Sequence, residues 1–295
     1  MKTNPPRMCL RIHSLRLPII SGSIFLMILF SALYSQGQTC NDLSTISLDA
    51  DCAVEITPDM VLEGTPVDTS YIVNLTTMSG LPIGKILTAA QLGDTVRATI
   101  TDTLTGNSCW GLLYVEDKLA PSLVCTNITL PCAVTQFSPA YLSNVLALTA
   151  AYPQVIENCN AYTLSYIDTW MDLDCNDPQD RSAYLQRVWT ATDASGNQSG
   201  CTQFLHFQRV HAGQILFPDD VTVSCSNPLT TPTQAGEPYV TAFGKNFPLF
   251  SGDLSCELDI VYQDQVLSLC SGSYKILRTW TVLDWCSGQL ITSNN

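Results

Sequence analysis

Residues 187–193 read Arg-Val-Trp-Thr-Ala-Thr-Asp, and residues 278–284 read Arg-Thr-Trp-Thr-Val-Leu-Asp, 91 positions later. Cysteines are placed alike around both stretches, so the chain repeats itself at about domain length. Apolar and polar residues alternate through each copy, the period of a strand with one face in a core. Leu185, Arg187, Trp189 and Ala191 are thereby expected on one sheet face, and Ile276, Arg278, Trp280 and Val282 on its counterpart. Each tryptophan then anchors a core between two sheets, and the arginine two residues before it lies against the ring. A worn copy stands upstream as Thr101-Asp102 followed by Gly106-Asn107-Ser108-Cys109-Trp110.

The surrounding chain speaks the same language. Runs rich in Val, Ile, Thr and Tyr predict strands at Tyr71–Thr76, Thr95–Thr101, Trp110–Val115, Ser122–Leu130 and Tyr162–Thr169. Further strands are expected at Ala183–Thr192, Thr202–Val210, Val221–Ser224, Leu258–Tyr262 and Tyr274–Leu283. Gly/Asn turns separate them, such as Thr105-Gly106-Asn107 and Asp193-Ala-Ser-Gly-Asn197. Helical periodicity is confined to Ala140–Ala151, limited by Pro153, with short helical turns at Thr57-Pro58 and Ala89–Gln91. The pattern predicts an all-β chain of tandem immunoglobulin-like β-sandwich modules. Modules are expected at 38–118, 119–210 and 211–295, the first degenerate and the last incomplete at its C-terminal end. After Asp193 the second module continues for 17 residues, whereas only 11 follow Asp284. A stunted final strand implies either a fragment of a longer protein or a sheet edge that accepts a partner's strand.

Residues 1–37 are set apart. Lys2, Arg7, Arg11 and Arg16 precede an apolar run densest from Ile24 to Leu33, and Ser35-Gln36-Gly37 closes it with small residues. This is the layout of a secretory signal peptide cleaved near Gly37. Beyond it remain 9 basic and 26 acidic residues, a net charge of −17. That surplus excludes nucleic acid and anionic lipid headgroups as partners, and no later stretch is apolar enough for membrane insertion.

Twelve cysteines also remain: Cys40, Cys52, Cys109, Cys125, Cys132, Cys159, Cys175, Cys201, Cys225, Cys256, Cys270 and Cys286. None forms a Cys-x-x-Cys pair and only His206 and His211 accompany them, which speaks against zinc or redox centres. An exported chain with an even count reads as disulfide-stapled. The cysteines divide into three groups of four, 40–125, 132–201 and 225–286. Four cysteines allow three pairings; a sequential scheme joins Cys132 to Cys159 and Cys175 to Cys201 and repeats one module later. A Cys109–Cys125 bond would instead stiffen the first junction.

Val188-Trp-Thr-Ala-Thr-Asp-Ala-Ser-Gly-Asn197, a cysteine, an alternating strand and Phe217-Pro-Asp-Asp-Val-Thr-Val-Ser-Cys225 together resemble the hyalin-repeat (HYR) module. Cys40-Asn-Asp-Leu, Ile56-Thr-Pro-Asp-Met60 and the stretch from Gly106 to Pro121 are similar to amino-terminal repeats of large secreted surface proteins of gliding-type bacteria. The resemblance implies an immunoglobulin-like fold, an adhesive or scaffolding role, and no catalytic residues. Phe217 or Pro218 departs from it by standing where the earlier module has Cys125, and His206–His211 replaces the expected link between modules.

The sequence contains no Gly-x-Ser-x-Gly elbow, phosphate-cradling loop or His-Glu-x-x-His helix, so no enzyme and no cofactor are expected. Calcium is the one cofactor weighed. Asp117, Asp219 and Asp220 are acids near module junctions, and Asp193 with Asn197 is a second ligand pair, although Asp before Gly-Asn is ordinary hairpin chemistry. The expected role is an extracellular spacer and contact surface for cell-surface or matrix proteins or glycans. The alternative is a carbohydrate-binding region of a secreted glycan-processing protein, with Trp170, Tyr262 and Trp285 as a stacking platform for sugar rings.

Overall fold

The computed structural model describes residues 38–64, 70–159, 161–224, 230–252, 256–269 and 273–293. Residues 1–37, where the leader is expected, and two of the twelve later cysteines, Cys225 and Cys270, lie outside these residues. Strands β1 (Leu43–Ser47), β2 (Ala53–Glu55), β3 (Tyr71–Thr77), β4 (Ile86–Thr88), β5 (Thr95–Asp102) and β6 (Ser108–Glu116) come first. They are followed by β7 (Ser122–Val124), β8 (Ile128–Pro131), helix α1 (Pro139–Asn144), β9 (Gln154–Ile156), β10 (Tyr162–Asp172), β11 (Arg181–Asp193) and β12 (Gln198–Gln208). Helix α2 (Pro232–Ala235), β13 (Tyr239–Ala242), β14 (Lys245–Pro248), β15 (Leu258–Ser268), β16 (Tyr274–Asp284) and β17 (Leu290–Thr292) complete the order. The fold is all-β, disulfide-stapled and of the immunoglobulin-like class, built from small sheets.

The repeat is a three-stranded antiparallel meander, present as β3-β5-β6, β10-β11-β12 and β15-β16-β17. Its middle strands end at Asp102, Asp193 and Asp284, each 91 residues from the next. Each aspartate caps the hairpin that follows. Asp102 Oδ1 accepts from Leu104 N, Asp193 Oδ1 from Asn197 N and Asp284 Oδ1 from Cys286 N. Gly106, Gly196 and Gly288 adopt the positive φ these turns require. The upstream copy is therefore a full structural member despite its eroded wording.

The chain forms two compact units. One gathers residues up to Thr45 with Glu55–Ile86 and Thr95–Tyr114. Its sheet runs β1-β6-β5-β3, and Val73, Leu75, Val96, Ala98, Ile100 and Leu113 are buried there. The other gathers Ile46–Val54, Leu87–Asp94 and the chain from Val115 onward. Within it the sheet β10-β11-β12-β8 and the hairpin β13–β14 contribute to one apolar cluster that extends from Ile128 to Val282 in sequence.

Two local expectations change. The helix over Ala140–Ala151 stops at Asn144: Ser138 caps its start and Pro139 opens it, but Ala147 takes φ 55°, and only a 3-10 turn (Thr149–Ala151) follows. Val221–Ser224 is exposed and forms no strand among the described residues.

Disulfide connectivity departs from the sequential scheme. The bonds are Cys40–Cys109, Cys52–Cys159, Cys125–Cys201, Cys132–Cys256 and Cys175–Cys286. Cys132 does not meet Cys159, Cys175 does not meet Cys201, and Cys109 does not meet Cys125. Each bond spans at least 69 residues, so the division into three self-contained fours is also corrected. Antiparallel pairing brings distant residues together, and short sequence spacing carries no information about that.

Candidate functional site

The repeated Arg-x-Trp phrase meets a second repeated phrase on the preceding strand. Register places Tyr166 opposite Trp189 and Asp168 opposite Arg187; it places Tyr262 opposite Trp280 and Asp264 opposite Arg278. Side chains directly opposite on antiparallel strands share a face, so each copy assembles Tyr, Asp, Arg and Trp into one array.

The geometry is nearly identical in the two copies. Arg187 donates from Nε to Asp168 Oδ1 at 2.7 Å and from Nη2 to Asp168 Oδ2 at 2.8 Å, and Nη2 also reaches the Phe137 carbonyl at 3.0 Å. Arg278 makes the same two bonds to Asp264 at 2.7 and 2.8 Å, with the Thr230 carbonyl at 2.7 Å. Each guanidinium lies over a tyrosine, Arg187 at 4.5 Å from Tyr166 and Arg278 at 4.6 Å from Tyr262. The tryptophans anticipated as stacking partners are farther, at 5.8 and 5.9 Å; cross-strand register puts the tyrosine nearer than the residue two along the same strand.

Burial differs between the copies. The Arg187 side chain is 0% exposed and that of Arg278 is 13% exposed. Trp189 and Trp280 are both buried. Trp189 donates from Nε1 to Gln203 Oε1 at 3.1 Å, and Gln203 Nε2 donates to the Thr126 and Ala150 carbonyls. In the second copy the Arg278 side-chain bond holds the Asp264 carboxyl below the usual carboxylate range, and Asp264 in turn raises Arg278. In each array the carboxylate is bound bidentately and the arginine is used by an acid, a carbonyl and a ring, while Arg187 Nη1 is buried with no hydrogen-bond partner among the described residues. The arrays clamp strands and present a half-exposed tyrosine beside a carboxylate.

Asp168, Asp264 and Tyr166 have no place among the site residues expected from the strand words alone, and Tyr262 is expected only in the sugar-stacking platform. The signal was there as Tyr166-Ile-Asp168 and Tyr262-Gln-Asp264, but its meaning depends on the register with the next strand. In the first copy Val96 and Ala98 lie two strand positions apart where the array would be, and Arg97 instead stacks over Trp110 at 4.6 Å.

The calcium candidates scatter. Asp193 and Asn197 bind each other: Asp193 Oδ1 accepts Asn197 N and Oδ2 accepts Asn197 Nδ2, and that amide also reaches the Asp117 carbonyl at 3.0 Å. The carboxylate of buried Asp117 lies within 4.8 Å of ligand atoms of Glu157 and Cys159. Cys159 is in a disulfide, Asp117 Oδ1 already accepts Leu119 N, and Glu157 Oε1 accepts Cys159 N. Two engaged carboxylates fall short of the six to eight oxygens calcium takes. Asp219 and Asp220 are exposed and belong to no ligand cluster among the described residues.

The stacking platform is not assembled either. Trp170 packs on Phe137 and Phe207, Tyr262 packs on Phe250 and Trp280, and exposed Trp285 joins neither group. His206 lies flat on Phe204 and receives Arg181 Nη1 at 3.2 Å, whereas His211 pairs with Asp180 at 2.5 Å. No helix among the described residues is long and apolar enough to cross a membrane.

No protein-family model and no curated protein matches the chain. Solved structures that align with it include cadherin ectodomains. Drosophila N-cadherin EC1-4 is 11% identical, covering 88% of this chain and 72% of that one with a TM-score of 0.26. Protocadherin Gamma B7 EC1-4 is 11% identical, covering 87% and 74% with a TM-score of 0.25. Human CDH23 EC21-23 is 11% identical, covering 87% and 99% with a TM-score of 0.22. These scores mark a loose likeness only.

Proposed function

We propose that this chain is an extracellular, non-catalytic repeat protein of a bacterial cell surface, of hyalin-repeat-like type. It serves as a spacer and as a contact surface for cell-surface or matrix proteins or glycans. The proposal includes three tandem modules over 38–118, 119–210 and 211–295, exported behind a leader at 1–37. The observation that carries it is the twin array: its ionisable groups are spent on each other and on backbone carbonyls, an investment in holding strands. Five disulfides support the oxidising location.

Labelling intact producing cells with a membrane-impermeant biotin reagent tests the location. Label on this protein before lysis is expected. Label only after lysis overturns the proposal.

A further inference from the structure

Arg209 directly follows β12 and is only 5% exposed. Its Nη2 donates to the Leu173 carbonyl at 3.2 Å and the Asp174 carbonyl at 2.8 Å, and its Nη1 donates to Cys286 Sγ at 2.8 Å. Its Nε is buried with no hydrogen-bond partner, and no carboxylate forms an ion pair with the guanidinium among the described residues. A cation taken out of water is costly unless a counter-charge answers it. Two carbonyls and a neutral sulfur offer dipoles and no charge.

That sulfur is half of the Cys175–Cys286 bond, and the other half is open. Cys175 is exposed, whereas the other cysteines of the described disulfides are buried or half-buried. Cys175 lies between β10 and β11, and the two carbonyls that hold Arg209 directly precede it. One arginine therefore braces the backbone on the exposed side of the bond and the sulfur on the covered side. Two carboxylates work against it. Glu257 lies within 4.8 Å of both sulfurs but is exposed, so water screens it. Asp284 accepts from Cys286 N and from Ser287 N and Oγ.

We propose that Cys175–Cys286 is a thiol-exchange site at which a low-molecular-weight thiol becomes attached to Cys175. The incoming thiolate forms a new S–S bond to the exposed Cys175 Sγ. The Cys175–Cys286 bond breaks, and its electron pair stays on Cys286 Sγ, which leaves as a thiolate and gives Arg209 its missing counter-charge. One disulfide replaces another, so no outside oxidant or reductant is consumed. A leaving thiolate departs faster the better it is stabilised, and a neighbouring cation is one source of that stabilisation. Cys132–Cys256, buried at both ends, stays closed and keeps the chain cross-linked.

The probe is reduced glutathione, added to the full oxidised chain after its free thiols have been capped. Samples are quenched with an alkylating reagent and mapped by mass spectrometry. The 175–286 bond is expected to open about tenfold faster than 40–109, 52–159, 125–201 or 132–256, with glutathione on Cys175 and the alkyl label on Cys286. Arg209→Gln is expected to slow that opening about tenfold. Earlier opening of another bond overturns the proposal, as does glutathione on Cys286 with the label on Cys175. An unchanged rate in folded Arg209→Gln overturns it too. Should that variant not fold, the order of opening and the side of attachment in the native chain decide alone.

Discussion

Asp168 and Arg187 stand opposite each other on neighbouring strands and share two N–H···O bonds, with the arginine fully buried and the carboxylate a quarter exposed. Removing one partner of such a pair strands the other charge out of water. Asp168→Ala is expected to cost about 3 kcal/mol in urea unfolding, and Asp264→Ala less, because Arg278 keeps some contact with solvent. Replacing the pair together, Asp168→Leu with Arg187→Met, is expected to recover most of that loss.

Gln203 carries three bonds at the centre of the second meander: it accepts from the Trp189 indole and donates to two carbonyls. Gln203→Leu keeps the volume and orphans all three groups. A loss of about 2–3 kcal/mol is expected, with a changed near-ultraviolet signal from Trp189 but little change in far-ultraviolet circular dichroism.

Acid is expected to destabilise the fold in two stages. Burial and Arg181 push His206 below its ordinary value of 6.5, so the unfolded chain takes that proton first. Stability therefore falls as pH drops from 6.5 toward the folded value. Asp264 and Asp177 are held low by Arg278 and Arg181, respectively. Their contribution is complete above the ordinary carboxylate value and is lost as pH falls through the folded ones. Melting temperature against pH checks both stages: His206→Gln flattens the first, and Asp264→Asn shrinks the second.

Peptide mapping under non-reducing conditions is expected to recover the pairs 40–109, 52–159, 125–201, 132–256 and 175–286. Recovery of 132–159 or 175–201 would contradict the fold. Replacing both Cys132 and Cys256 with Ser is expected to cost about 2–5 kcal/mol.

Gly200 lies on β12 beside β11, and a Cβ there would lie 2.7 Å from the Trp189 carbonyl oxygen. Gly200→Val is expected to push β12 off β11 at that point and lower the melting temperature by several degrees.

The strands were legible because burial on one face leaves a period of two in the sequence. Predicted runs at Thr95–Thr101, Ala183–Thr192 and Tyr274–Leu283 lie within β5, β11 and β16. What escaped was whatever depends on which strand lies beside which. Asp168 finds Arg187 only through the register of β10 on β11, and Cys132 finds Cys256 only through the packing of distant segments. Ser122–Leu130 read as one strand yet divides into β7 and β8, which join different sheets. The two halves look alike because both alternate.

The long reach of the sulfur bridges governs how the molecule is made. Cys132 is synthesised 124 residues ahead of Cys256, and Cys175 leads Cys286 by 111. Neither thiol has its mate until nearly the whole polypeptide has been delivered. An oxidant acting before the chain is complete would meet Cys132 and Cys175 while Cys256 and Cys286 were still missing, and would join them to the wrong thiols. Correct pairing thus calls for either late oxidation or an isomerase that reshuffles early bonds.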